Sequence, residues 1–249
     1  MRPHLLIIAV ALASQNMAQT DTDNVIKDRM ARAGAVMEDD MGPFQPNAFI
    51  GSFRMELHHA HGATKTKSAP MQLEVWTNVD HSLARSSSGG TAPEMTILKD
   101  LRGKKQYLLT TDDLGKRVAL KSALKKMVPT GDGAANAPDI RMTEETRVIA
   151  GQVCKKLVAK DDRGTWIGWM ATDLEVPFTY FMQSLGQGEK IAADQLDGVY
   201  GFPLQYEWTD ASGAEGLTCV VEDLVVGAVK AEIFTLDGYQ IVELPATGQ

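Results

Sequence analysis

No apolar run in this 249-residue chain approaches the roughly 20 residues that a helix needs to cross a bilayer. Positive charge is in deficit as well, with 25 Lys and Arg against 32 Asp and Glu and a formal charge of −7. An acidic surface repels phosphate backbones, which argues against nucleic acid as a partner. Nucleotide-binding glycine patterns are missing: there is no G-x-G-x-x-G and no Walker sequence, and Gly89-Gly90 does not open a helix. A G-x-S-x-G elbow is missing too, because the serines gather in RSSSGG (85–90), which reads as a loop. Neither of the two cysteines belongs to a C-x-x-C pair, and no histidine is near Cys154 in sequence. The carboxylate pairs Asp112-Asp113, Glu144-Glu145 and Asp161-Asp162 fall in expected turns or at strand edges, where solvated charge is the default. The sequence therefore reads as that of a non-enzyme, with no catalytic residue and no cofactor assigned.

What the chain does have begins at its first residues. Arg2 precedes an uncharged apolar run, Leu5 to Ala13, and small residues follow. This is the layout of a secretory signal peptide over residues 1–18, with cleavage expected after Ala18 or, alternatively, after Ala13. No cysteine lies near the cut, so a lipid anchor is not available there. The expected location is periplasmic or secreted, as a protein without a membrane span. Hydrophobic residues make up 44% of the chain, enough for a sizeable core, and residues 19–249 read as a single domain. Its clearest loop is PTGDGAANAPD (129–139), across which the composition does not shift.

A helix is expected first. Asp23-Asn24 can cap it, and Val25, Ile26, Arg29, Ala33 and Val36 recur at helical spacing until Gly42-Pro43. Strands follow: Ala48 to His61, Gln72 to Asn78, then EMTILKDL, KKQYLLTT and KRVALK, separated by glycine-bearing turns in the manner of a meander. Thr146 to Leu174 reads as two strands joined by a polar turn. In EVPFTYFMQSLGQG, Phe178, Phe181, Met182 and Leu185 share a helical face that Gly186 and Gly188 end. FPLQYEWTD and GLTCVVEDLVVG form a hairpin through ASGAE, and VKAEIFTLDGYQIVELP supplies a last strand.

Cys154 and Cys219 both survive cleavage into a compartment where disulfides persist. Pairing would stabilise by about 3–5 kcal/mol through loop closure. Strand parity argues the other way: Cys154 sits with Lys156 opposite a face of Ile149, Val153 and Leu157, whereas Cys219 shares the apolar face of Leu217 and Val221, so the sulfurs point to opposite sides if the two apolar faces coincide. Both outcomes stand on the sequence.

The order of these segments, with Thr146-x-x-Ile149-x-Gly151-x-x-Cys154, Trp169, Gly201-Phe202-Pro203-Leu204 and the closing Phe234-Thr235-Leu236-Asp237-Gly238-Tyr239, resembles exported bacterial domains of unknown function in the lipoprotein-carrier-like (LolA/LolB-like) superfamily. It is also similar to the related GLPGLI family, although the proline of that closing strand is missing. The motifs span mainly residues 146–245. The resemblance implies an α+β, mostly β fold: a strongly curved antiparallel sheet, an incomplete β-barrel, with helices across its concave face. It further implies a half-barrel cavity for a lipid, an acyl chain or another hydrophobic small molecule. None of the carriers' ligand-contacting residues is matched here.

Two clusters are candidate sites. Ile167, Trp169 and Ala171 alternate against Trp166, Gly168 and Met170, while Leu204, Tyr206 and Trp208 share a face of the next strand. Pointing into the curve, Trp169, Tyr206 and Trp208, with Ile167 and Leu204, would line a hydrophobic pocket. The plainer reading is that they fill the core. The second cluster is ELHHAHG, where His59 and His61 lie on one strand face about 6.6–7 Å apart. With His81 or Glu56 they make a zinc or copper site conceivable, against a plainer reading of imidazoles on a solvated strand end. Three functions follow: a periplasmic binder of a hydrophobic ligand, an envelope protein–protein interaction module, or a metal-binding envelope protein using the His58–His61 strand. The first is the reading adopted.

Overall fold

The structure is a computed structural model, and it describes residues 35–61, 66–67, 70–88, 94–112, 114–129, 139–162, 164–174, 176 and 199–244. The signal-peptide segment, the start of the first expected helix and the whole Phe178–Leu185 helix lie outside these residues. Among the described residues the chain is mostly β, and no helix is long and apolar enough to cross a membrane.

Thirteen strands form one sheet. In spatial order they are β10 (Asp139–Ile149), β11 (Gln152–Asp161), β12 (Gly164–Ala171), β13 (Phe202–Asp210), β14 (Glu215–Val226), β2 (Gly51–His61), β4 (Met71–Thr77), β5 (His81–Ser88), β6 (Met95–Asp100), β7 (Lys105–Thr111), β8 (Arg117–Ala123) and β15 (Gln240–Glu243). The short β3 (Thr66–Lys67) hangs on β2. All pairings are antiparallel except that of β15, which runs parallel to β8. Consecutive hairpins account for most of the order, as the expected meander and the ASGAE hairpin require.

Local expectations fail where a distant partner intervenes. Ala35–Asp39, assigned above to the end of a helix, is instead strand β1, paired with β9 (Lys125–Pro129). The register sets Glu38 opposite Lys126 and Asp39 opposite Lys125, and Asp39 forms an ion pair with Lys125. Opposite charges on paired strands outweigh a helical spacing that rested on few residues. Arg85–Ser88, read as a loop, is the end of β5, because β4 supplies partners along its whole length and β6 pairs with Arg85 and Ser86. The strand read through Thr146–Leu157 is broken by a two-residue turn: Ala150 and Gly151 both have positive φ (48° and 78°), and Ile149 pairs back onto Gln152. The expected closing strand forms only at Gln240–Glu243, where it pairs with β8. Before it, Val229–Tyr239 runs through a 3₁₀ turn at Ala231–Phe234.

Cross-strand partners point to the same side, so the register divides the sheet into two faces. The front bears Leu157, Gly168, Tyr206, Cys219, Leu57 and Met71 in one continuous cross-strand row. Here lies most of the larger core, with Leu57, Leu157, Met170 and Cys219 fully buried. Burying each large apolar side chain of this kind contributes roughly 1.5–3 kcal/mol. The smaller core is on the back of β5–β8, where Leu83, Leu98, Leu109 and Ala119 meet Phe234 from the Val229–Tyr239 segment. His81 stacks on Phe234 with ring centroids 5.6 Å apart, and the Arg117 guanidinium lies 3.9 Å over the Tyr239 ring.

Candidate functional site

β5 to β8 carry apolar residues on both faces. Leu83-Ala84, Ile97-Leu98, Leu108-Leu109 and Ala119-Leu120 each put one side chain to the back and the next to the front. Strands of this kind are expected where both faces are covered. The back face has its cover in Val229–Tyr239. On the front, Val75, Ala84, Ile97, Leu108 and Leu120 are successive cross-strand partners. They form one row across five strands, roughly 19 Å at about 4.8 Å per strand. All five are half-buried, and among the described residues none belongs to either core. The row begins beside Phe53, which packs on the larger core, and ends at Val242 of β15. This is an apolar lane that continues the front core without being part of it.

The aromatic residues singled out above are divided by the register. Tyr206 and Trp208 are brought together on the front, with Tyr206 2% exposed and Trp208 packed at the edge of the core, while Leu204, at the register shift between β12 and β13, is fully buried in the same core. Ile167 and Trp169 lie on the back, opposite Glu207 and Gln205. The front-face aromatic partner of Tyr206 is Trp166, stacked at 5.7 Å. Trp169 is covered instead by the Arg147 guanidinium, 4.5 Å from its ring, and Arg147 also donates a hydrogen bond to Gln205 at 2.7 Å. Alternation along one strand shows which residues share a face; only pairing shows which face meets Tyr206.

The histidines are divided in the same way. His59 lies on the front and is nearly buried, whereas His58 is on the back, 2.6 Å from Glu56. His81 is also on the back, against Phe234. His59 and His81 therefore face opposite sides of the sheet, and one ion does not bridge them. The side chain of His61 lies outside the described residues. Among the described residues no group of three His, Cys, Asp or Glu side chains is placed to hold a metal ion.

Cys154 and Cys219 are free and fully buried. Cys154 is on the back of β11 and Cys219 on the front of β14, with β12 and β13 between them. Three strand spacings are roughly 14 Å, about twice the Cα separation that a disulfide spans. Burial raises the pKa of the Cys154 thiol and pushes that of Cys219 up to about 12. Tyr206, the cross-strand partner of Cys219, is raised as well, first by burial and then by Cys219 itself. Where carboxylates shift they go down: Lys104 lowers Asp40, Arg141 lowers Asp139, Ser212 lowers Asp210 and Lys121 lowers Glu243. None of these groups is driven towards neutral pH, where general acid–base catalysis works best.

No family model matches this chain, and no curated protein does. Solved structures do. Among them is a LolA superfamily protein from Nitrosomonas europaea, 12% identical with a TM-score of 0.34, over 78% of this chain and 93% of that one. MucB, solved in complex with MucA(peri), is 12% identical with a TM-score of 0.37, over 78% of this chain and 57% of MucB. PNGF-II is 15% identical with a TM-score of 0.36 over 78% of this chain, which spans only 32% of PNGF-II. The superfamily that the Thr146–Cys154 and Gly201–Leu204 motifs resemble is thus among the matches. At these identities and TM-scores the likeness carries no residue role to this chain.

Proposed function

We propose that this is a non-enzymatic, exported protein that binds a lipid, an acyl chain or another hydrophobic molecule against the front of its sheet. The apolar row Val75–Ala84–Ile97–Leu108–Leu120 carries the reading, since these strands are apolar on both faces and the two cores leave the front row out. Each methylene that an acyl chain buries there contributes about 0.8 kcal/mol. The non-enzymatic part is supported by thiols raised out of reach of the nucleophilic thiolate and by carboxylates held in their ionised form. Export to the periplasm or beyond is supported by the layout of residues 1–18.

The testing experiment is native mass spectrometry of the protein exported by its own leader, with organic extraction of what accompanies it. A lipid-sized adduct is expected, and Leu108→Lys is expected to abolish it while leaving the far-UV circular dichroism unchanged. A bare mass that stays bare after mixing with lipid refutes the reading.

A second reading, an envelope interaction module, is favoured by one observation. Val148 and Val153 are cross-strand partners on the edge hairpin β10–β11, 68% and 52% exposed. Retention of an envelope protein by the wild type and not by Val148→Glu, without any lipid adduct, would move the assignment there.

A further inference from the structure

One charged residue interrupts the apolar front. Lys99 sits two residues along β6 from Ile97 and shares its face, between Ser82 on β5 and Gln106 on β7, with Ser122 of β8 beyond. Among the described residues it is the one charged side chain on the front of β4–β8. The acidic groups of this region belong to the other side of the sheet. There Arg85 is engaged by Glu74 and Glu94, and Arg54 by Glu222 and Asp223. Water reaches Lys99, yet the protein around it desolvates the ammonium, and desolvation is the sole cause that lowers its pKa. The Lys99 ammonium thus reaches solvent on the front face as a cation that no carboxylate among the described residues answers. Such a cation is unfavourable for the protein alone and favourable for an anion arriving from outside.

The polar row Ser82–Lys99–Gln106–Ser122 thus runs alongside the apolar row Ala84–Ile97–Leu108–Leu120, offset by two residues, or about 6.6–7 Å. We propose that this surface takes a fatty acid, with the carboxylate on the Lys99 ammonium and hydrogen-bonded by Ser82 or Gln106, and with the acyl chain laid across Ile97 and Leu108. The proposal rests on the hydrophobic-ligand reading above and adds to it a single negative charge at one end of the ligand. One ammonium flanked by neutral donors matches a monoanionic carboxylate.

The test is titration of the intact protein with laurate and, separately, with dodecanol, which has the same chain and no charge. Laurate is expected to bind the wild type and Lys99→Arg alike. Lys99→Met, which keeps the apolar stem, is expected to bind laurate tenfold or more weakly, as for loss of a hydrogen bond to a charged group. Dodecanol affinity is expected to be the same for all three. Equal laurate affinity in wild type and Lys99→Met overturns the proposal and leaves hydrophobic binding standing. Tighter Lys99-dependent binding of phosphatidylglycerol than of laurate overturns the fatty-acid assignment in favour of a phosphodiester headgroup. Binding of neither amphiphile overturns the hydrophobic-ligand reading, and the proposal with it.

Discussion

Gly168→Ala adds one methyl at a point where the front face has no room for it. A Cβ built on Gly168 lies 2.0 Å from Cη2 of Trp166 and 2.5 Å from Cζ3, so the indole occupies the space that a side chain would need. The same indole stacks on Tyr206, the cross-strand partner of Gly168. Alanine therefore has to push Trp166 off the glycine and disturb the stack. Overpacking of this kind costs about 1–3 kcal/mol, and the loss of an aromatic pair about 0.5–1.5 kcal/mol. Alanine's lower backbone entropy returns about 0.5–1 kcal/mol. The expected net destabilisation is about 2 kcal/mol, or roughly 4–8 °C in Tm for a chain of this size. Urea denaturation followed by tryptophan fluorescence measures the first figure and thermal circular dichroism the second. In a Trp166→Ala background the methyl meets open space, so adding Gly168→Ala there should be neutral or slightly stabilising. A Gly168→Ala variant as stable as the wild type, or one equally destabilised with Trp166 removed, would refute this account of the packing.

Leu57→Ala, in the fully buried front core, should lose about 2–5 kcal/mol, whereas Leu108→Ala, in the row that neither core includes, should lose well under half of that; matched urea titrations compare them. Neither cysteine should react with a disulfide reagent at pH 8 in the native state, and both should react in denaturant, with no disulfide in the intact mass under non-reducing conditions. Asp40 has a folded pKa below its ordinary value of 3.8, chiefly through its hydrogen bond from Lys104, so its contribution is fully present above pH 4 and is lost as pH falls through the folded value. Asp40→Asn should accordingly cost a fraction of a kcal/mol, on the order of 0.5, at pH 7 and nothing near pH 2, read from Tm against pH. Lys99→Met should raise Tm at neutral pH in the absence of ligand, because it removes a desolvated charge that no carboxylate among the described residues pairs.

Several features were legible because they are local. Alternation in Gln72–Asn78 and in the three segments between residues 94 and 121 placed strands within a residue or two, since a period of two depends only on each strand's own pleat. Turn residues placed the ASGAE hairpin. Parity left the two sulfurs dependent on whether the apolar faces of two distant strands coincide, and only the register through Leu157, Gly168, Tyr206 and Cys219 puts them on opposite sides. The errors share one cause. Ala35–Asp39 became a strand because β9 offers lysines to its acids, and Arg85–Ser88 became one because β4 pairs with all of it and β6 with its first two residues. The front row was not singled out because Ile97, Leu108 and Leu120 look like ordinary core positions until the core is seen to lie elsewhere.

The sequence by itself determined that the chain is β-rich, acidic and without a helical membrane span, which residues share a face within each strand, and where the tight turns fall. Those properties follow from composition and from covalent geometry over a few residues. Tertiary structure alone decided which faces of neighbouring strands coincide, and so that Trp166 and not Trp169 meets Tyr206. It also decided that Val229–Tyr239 covers the back of β5–β8 and that Lys99 stands on the front with no acidic partner among the described residues. These are consequences of register and of contacts between residues more than a hundred positions apart, and a period-two pattern carries no record of them.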